Sequence, residues 1–494
     1  MNEKWSVAWR LASVVLCALL VAGCRGTLPS PPPTTEPAIE TIAPEVASPS
    51  PAASPLERPP VADPTAVPPA KPATWVDAGK LPLDGYNLTV VPLADGGAIA
   101  IGSVNVEDSS HPAAFRWAPG TKTWDEIEPL NKARSQFGAT LLRDGRVLVA
   151  GGLNDAAQSF SSAYVFDPER SSAGWSKVGL LDTARTAPII AALPDGRVLI
   201  AGGYFRTNNE TASARYGLAA PRGTPPWETT AARRGTYDID VPPYGYALAT
   251  AELFDPDTGE WTPTGSLSYA RAGAPAVTLS DGRVLIVGTG QDVLNDVAPE
   301  AWTTAEIYDP ASGTFALAGS LPAIDQNRLR DLGVDMSNSS LGPGSPGQLV
   351  ALQDGAALLV GRNHWAKHDA DVLQSVRFDP ARATWLESGS PCAAAGYNYG
   401  EMRRTPAPCL IGGFVAGLDG GRVLSAGSGP SEFRFEPGSA AIYDAAADAW
   451  QEQPSMPEEY VPGIAVGLAD GTALLVGTPR DGEHPAALQF IPPR

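Results

Sequence analysis

Seven times along this chain an apolar run is interrupted by Asp-Gly and resumes at once. The segments are LADGGAIAIGS at Asp95, LLRDGRVLVAGG at Asp144, LPDGRVLIAGG at Asp195, LSDGRVLIVGTG at Asp281, LQDGAALLVG at Asp354, LDGGRVLSAGSG at Asp419 and LADGTALLVG at Asp470. Asp-Gly suits a tight hairpin turn, because such a turn needs positive φ angles that Gly and Asp tolerate. The flanking runs, VLVAG among them, read as strands buried on both faces. Most are followed by a third strand and a second turn: YVFDPERSSAGW, ELFDPDTGEW, EIYDPASGTF, VRFDPARATW and AIYDAAADAW. Pro fits the first central position of a type I turn, and a following Gly permits the left-handed residue that closes the hairpin. Each unit is therefore four antiparallel strands. Such a unit cannot bury both faces by itself, so the units must stack.

The anchors lie 49, 51, 86, 73, 65 and 51 residues apart, so some units carry insertions. The fourth-strand aromatics are Trp75, Trp124, Trp175, Trp261, Phe315, Trp385 and Trp450. Trp75 precedes the first anchor, whereas the last unit stops at LQFIPPR, a third strand without a fourth. The segment PATWVDAG is therefore expected to supply the outer strand of the seventh unit. That would close a ring non-covalently and hide the edge of an open sheet. The signatures VLVAGG and VLIAGG, with the aromatic-Asp-Pro turn and the Trp after it, resemble the kelch family of β-propellers. They are most similar to the propeller domain of galactose oxidase-like proteins. The resemblance covers residues 74–494 and implies an all-β, seven-bladed β-propeller of four-stranded kelch-type blades.

Ahead of the repeats, Lys4 and Arg10 precede the run LASVVLCALLVAG. That run is too short to span a bilayer and ends in small residues, as a secretory signal peptide does. Leu20-Val21-Ala22-Gly23-Cys24 resembles the lipobox of bacterial lipoproteins. The resemblance implies cleavage after residue 23, acylation of Cys24 and an extracytoplasmic chain lipid-anchored to a bacterial membrane. Arg25 after the cysteine implies the outer membrane where the cell has two. Residues 24–73 read as a tether: fifteen prolines lie among Ser, Thr, Ala and Glu, a composition that buries no core and favours extended conformations.

The formal charge is −19. An acidic surface repels phosphate, which argues against nucleic acid as a partner and against charge-driven binding to anionic lipid. Four His and four Cys leave little material for metal chemistry, and no cofactor is expected. Cys392 and Cys409, in a chain read as exported, are expected to form a disulfide that rigidifies GYNYGEMRRTPAP.

In a ring of antiparallel blades the strand 1–2 and 3–4 turns share one face. The strand 2–3 loops and the blade-to-blade connections share the other. The insertions 204–248, 289–303, 322–346, 362–373 and 388–410 all fall on this second face, where long loops on a rigid frame usually bind. The candidate binding residues are Tyr204, Arg206, Trp227, Tyr237 and Tyr244 of the first insertion, His364, Trp365 and His368 of the fourth, and Tyr397, Tyr399 and Arg403 of the fifth. Aromatics with Arg can stack on sugar rings or anchor a protein, and they can equally pack an insertion onto the frame. His364 and His368 could share a metal on a helix, but NHWAKHDAD reads as a loop, so no metal site is assigned. All four His are placed in strand 2–3 loops, with His111 and His484 opening the matching pieces HPAAF and HPAAL.

Arg134, Arg185 and Arg271 each stand ten positions before an anchor. Because they repeat, they are expected to brace the inner strands; a positive ring at the channel mouth is the alternative. The copper-radical site of galactose oxidase-like proteins requires a Tyr adjoining a His, and this chain has no Tyr-His dipeptide. Nor are the common nucleophile-elbow, zinc-protease or phosphate-loop motifs present. The expected function is a monomeric binding module for an envelope or extracellular protein or glycan. A carbohydrate-active enzyme, oxidase-like or isomerase-like but without the copper site, is the alternative.

Overall fold

The computed structural model describes residues 71–494 apart from 83–86, 107–108, 208–243, 291–296, 299, 323–346, 364–371, 389–413, 428–438, 458–459, 480–484 and 494. All of them belong to the compact unit Val67–Arg494. Its strands form seven four-stranded antiparallel sheets. Blade 1 comprises Asn87–Pro92, Ala98–Val106, Ser109–Trp117 and Trp124–Glu126. Blade 2 comprises Gly138–Leu141, Val147–Ala150, Ser162–Phe166 and Trp175–Leu180. Blade 3 is Ile189–Ala192, Val198–Ala201, Ala251–Asp255 and Glu260–Pro263, and blade 4 is Ala276–Thr278, Val284–Val287, Thr304–Asp309 and Thr314–Ser320. Blade 5 is Gln348–Ala351, Ala357–Asn363, Val372–Asp379 and Thr384–Ser388, and blade 6 is Phe414–Gly417, Val423–Gly427, Ser439–Asp444 and Ala449–Gln453. Blade 7 takes Tyr460–Gly467, Ala473–Pro479 and Ala486–Ile491 from the end of the chain and Thr74–Lys80 from before blade 1. The first strand of each blade lies against the first strand of the next, from blade 7 back to blade 1, which makes the array a closed seven-bladed β-propeller.

Period-two alternation explains why the second strands are apolar throughout. In blade 2, Val147 and Val149 enter the core shared with blade 1, while Leu148 and Ala150 enter the core shared with blade 3. Such apolar clusters fill each of the seven gaps between blades. Each blade also pairs an aromatic of its third strand with the fourth-strand aromatic, as in Phe254–Trp261 at 4.9 Å and Tyr443–Trp450 at 5.3 Å. At the closure Trp75 fills this role against Phe490 at 4.8 Å, and its indole Nε1 donates to the Pro454 carbonyl of blade 6 at 2.8 Å.

Six of the seven Asp-Gly turns differ from the two-residue hairpin that the sequence suggested, and the seventh, at Asp419, instead places both Gly420 and Gly421 at positive φ. Leu142 N donates to Arg146 O at 2.7 Å, and Gly145 N donates back to Leu142 O at 3.0 Å. Gly145 has φ of 85°, whereas none of the seven anchor aspartates has positive φ. This is a type I turn closed by a left-handed glycine bulge. Asp is favoured because its carboxylate, not its backbone freedom, closes the turn: Asp144 Oδ1 accepts from Arg146 N at 3.1 Å.

These turns also join blade to blade. An arginine held by the turn aspartate reaches the backbone carbonyl of the next blade's second turn. Arg116 reaches Pro168 at 3.0 Å, Arg146 reaches Pro256 at 3.0 Å, Arg197 reaches Pro310 at 3.4 Å and Arg283 reaches Pro380 at 3.2 Å. Arg377 reaches Ala445 at 3.1 Å, and Arg422 reaches Pro493, just past the third strand of blade 7 where no turn follows, at 3.1 Å. At the seventh junction Thr472 and Gln489 stand where the arginines would be and bond each other at 2.9 Å, while Lys122 of blade 1 pairs with Asp77 of the closing strand at 3.1 Å.

Partial burial would raise the carboxyls of Asp144, Asp195 and Asp281. Hydrogen bonds from Arg146, Arg197 and Arg283 and from the turn amides outweigh that burial and hold them below the usual 3.8. A carboxyl lowered by folding contributes stability above its unfolded pKa and loses it as pH falls through the folded one. The melting temperature should therefore drop on acidification below pH 3.8. An acid titration of wild type beside Asp144→Asn would check this: the variant should show a shallower acid limb, and identical limbs would refute the assignment.

Candidate functional site

The three repeated arginines are buried, at 2% exposure for Arg134 and 0% for Arg185 and Arg271. Each spans 17 residues to the carbonyl closing its second strand: Arg134 to Gly151 at 3.0 Å, Arg185 to Gly202 at 2.8 Å, Arg271 to Gly288 at 2.8 Å. Arg185 pairs with buried Glu252 at 2.6 Å and Arg271 with buried Glu306 at 3.0 Å. Burial pulls both guanidinium groups below their usual value, and the facing glutamates oppose that pull. They are braces, and a ring of positive charge at the channel mouth is not what they form.

Above these braces the blade-to-blade connections form a rim. The residue two after each arginine is left-handed: Gln136 at φ 51°, Ala187 at 46° and Gly273 at 61°. Ala187 N donates to Gln136 O, and Gly273 N to Ala187 O, both at 2.7 Å. A left-handed alanine costs on the order of 1–2 kcal/mol, and the rim bonds hold it in place.

The insertion 204–248 begins and ends as an ordered hairpin, Tyr204–Thr207 paired with Tyr244–Ala247. Phe205 is buried and stacks on Tyr246 at 5.5 Å. On the opposite side the Arg206 guanidinium lies over the Tyr204 ring at 5.0 Å, and both side chains are half-buried. The blade 2 loop is stitched to this hairpin. Ser159 N donates to Arg206 O at 3.0 Å, Arg206 N donates to Ser159 Oγ at 2.9 Å, and Ser159 Oγ meets Thr186 Oγ1 at 2.7 Å. Tyr204 and Thr186 exchange backbone bonds of 2.7 and 2.8 Å. Asp155 of the same loop accepts from Ser110 N of blade 1 at 3.3 Å. Blades 1 to 3 thus share one braced surface that presents a phenol, a guanidinium and the Ser159 hydroxyl, with Thr186 buried beneath it.

The described end of the insertion 289–303 packs onto the blade. It is the short helix Glu300–Thr303, in which Trp302 is buried and the Ala301 carbonyl accepts from Arg271 Nη1 at 2.5 Å. His111, expected in a loop, lies within the nine-residue third strand of blade 1 and is paired with Val104. Long second and third strands in that blade extend the sheet past the position where the loop was placed. Of the candidate binding residues, Tyr204, Arg206 and Tyr244 lie on the hairpin. Trp227, Tyr237, His364, Trp365, His368, Tyr397, Tyr399, Arg403 and the cysteines Cys24, Cys392 and Cys409 lie outside the described residues. Sequence reasoning missed Ser159, Thr186, Glu252 and Glu306. The two glutamates are separated from their arginines by 67 and 35 residues, an irregularity set by insertion length that hides a constant register.

The closed ring of seven sheets defines a β-propeller. No family model matches the chain. The human Kelch-like protein 33 is 31% identical over 110 residues, 20% of this chain and 18% of that protein, so the chain spans less than a fifth of the length of this relative. Among solved structures, a fungal alcohol oxidase of the AA5 family in complex with copper superposes with a TM-score of 0.52. It is 15% identical, with 86% of this chain and 77% of that chain covered, a likeness of fold alone. Together these support a kelch-type propeller. Among the described residues no three His, Cys, Asp or Glu side chains converge on a common point, and His111 is exposed.

Proposed function

We propose that the protein is a lipid-anchored, extracytoplasmic recognition module that binds an envelope or extracellular protein or glycan through its loop face. The observation that carries this reading is the contrast between the faces. One is occupied by short turns joined through arginine–carbonyl bonds, and on the other stand the Tyr204–Arg206 pair and the described strand ends between which the insertions run. A half-buried aromatic under a guanidinium, set on a braced hairpin, is pre-organised for stacking and hydrogen bonding, which lowers the entropy cost of binding.

A thermal-shift screen of the full chain against oligosaccharides and divalent metals, with and without chelator, tests the recognition half. A ligand at 100 times its Kd should stabilise by about 2.7 kcal/mol. Arg206→Ala should lose the response while melting like wild type without ligand, since the bonds at that position use its backbone. A response unchanged in Arg206→Ala would remove the hairpin from the site, and turnover of a bound sugar would make the protein an enzyme. Labelling with a palmitate analogue tests the anchor: incorporation should occur in wild type and vanish in Cys24→Ala.

A further inference from the structure

Blades 2, 3 and 4 offer an internal comparison. Arg134, Arg185 and Arg271 hold equivalent backbone carbonyls and equivalent hydroxyls at the start of the third strand: Ser162 at 3.3 Å, Thr250 at 3.4 Å and Thr304 at 2.8 Å. Two of the three also meet a carboxylate. Glu252 faces Ile200 across the ladder and Glu306 faces Ile286; the same register position in blade 2, opposite Val149, is Tyr164. The Arg134 guanidinium lies 5.1 Å from the Tyr164 ring centre and 4.4 Å from that of Phe160. Among the described residues no carboxylate pairs with it, and its buried Nε has no hydrogen-bond partner. A buried charge without a counter-charge is unfavourable, and two rings, the Tyr164 side chain and neutral oxygens supply only part of what a carboxylate supplies.

We propose that blade 2 binds a small monovalent anion, of chloride or formate size, at the Nε edge of Arg134, as the counter-charge that Glu306 supplies at Arg271 Nε and Glu252 at Arg185 Nη2, where Arg185 Nε itself donates to the Thr183 carbonyl at 3.3 Å. At 2% exposure the site admits nothing larger. Its lid is Phe160, whose N donates to Gly152 O at 2.8 Å and whose carbonyl accepts from Arg185 N at 3.1 Å. Phe160 follows Ser159, the residue that holds the Tyr204 hairpin, so the anion lies under the root of the braced loop surface. This assignment stands or falls independently of what that surface recognises.

The test is melting of the full chain in sodium chloride, sodium formate and sodium gluconate at equal ionic strength, with each anion titrated. Wild type should show a saturable rise in Tm with chloride or formate that gluconate, too large for the site, does not give. Tyr164→Glu copies the sister blades and should melt independently of the anion. Arg134→Met, if it folds, should also lose the dependence. Equal melting of wild type in all three salts, or an anion response that persists in Tyr164→Glu, would overturn the proposal.

Discussion

A Glu306→Ala variant is expected to lose about 3–5 kcal/mol of stability, the usual cost of stranding one member of a buried ion pair. The carboxylate is fully buried and holds three donors: Arg271 Nε at 3.0 Å, Ser268 N at 2.6 Å and Tyr269 N at 3.3 Å. Truncation leaves a guanidinium and two amides with no water to replace the lost acceptor. Urea unfolding should show a lower midpoint at constant m. Replacing both partners, as Arg271→Leu with Glu306→Leu, should recover part of the loss, because the charge then leaves together with its counter-charge. An effect of Glu306→Ala below about 1 kcal/mol, the range of exposed pairs, would mean the pair is not buried as described.

Removing residues 1–80 should abolish cooperative folding or drive association, whereas removing residues 1–70 should leave melting unchanged. The segment in question, Thr74–Lys80, covers the edge of Ala486–Ile491 in the register Thr74↔Ile491 to Lys80↔Ala486. It also supplies Trp75 and buried Ala78 to the last interblade cores. Without it blade 7 has three strands and an open edge, the template on which chains aggregate. A synthetic peptide spanning 71–82, added in trans, should restore the monomer. If the chain beginning at Leu81 melted as a monomer at the wild-type temperature, the closure would carry no weight in the fold.

Much of this fold was legible because the propeller repeats its chemistry at each blade. Seven anchors, seven fourth-strand aromatics and one aromatic out of order were enough to place Trp75 on blade 7. The arginines before the anchors were readable as braces for the same reason. The turn conformation was not legible, because a type I turn with a glycine bulge and a two-residue hairpin share the letters Asp-Gly. They differ only in whether Asp itself turns left-handed. The arginine–carbonyl bonds between blades escaped notice because the acceptor is backbone, and every residue has a carbonyl. The arginine also shifts between the second strand, as Arg146, and the third, as Arg377. At the candidate site, Tyr204 and Arg206 stood out by residue type, but Ser159 did not. A lone serine in a loop has no spacing that reveals it will pair with a hairpin 47 residues away.

The closing strand also determines how the ring would carry a load. Thr74 lies opposite Ile491, so the chain enters blade 7 at the end where third strands finish, on the side of the short turns. A pull applied at Thr74 along the strand axis would slide Thr74–Lys80 lengthwise past Ala486–Ile491. In that direction the ladder bonds share the load in parallel. Peeling the strand sideways would instead open them one after another, beginning at the Trp75 end. The same pairing that closes the ring therefore makes blade 7 a shear joint, strongest along the axis of Thr74–Lys80.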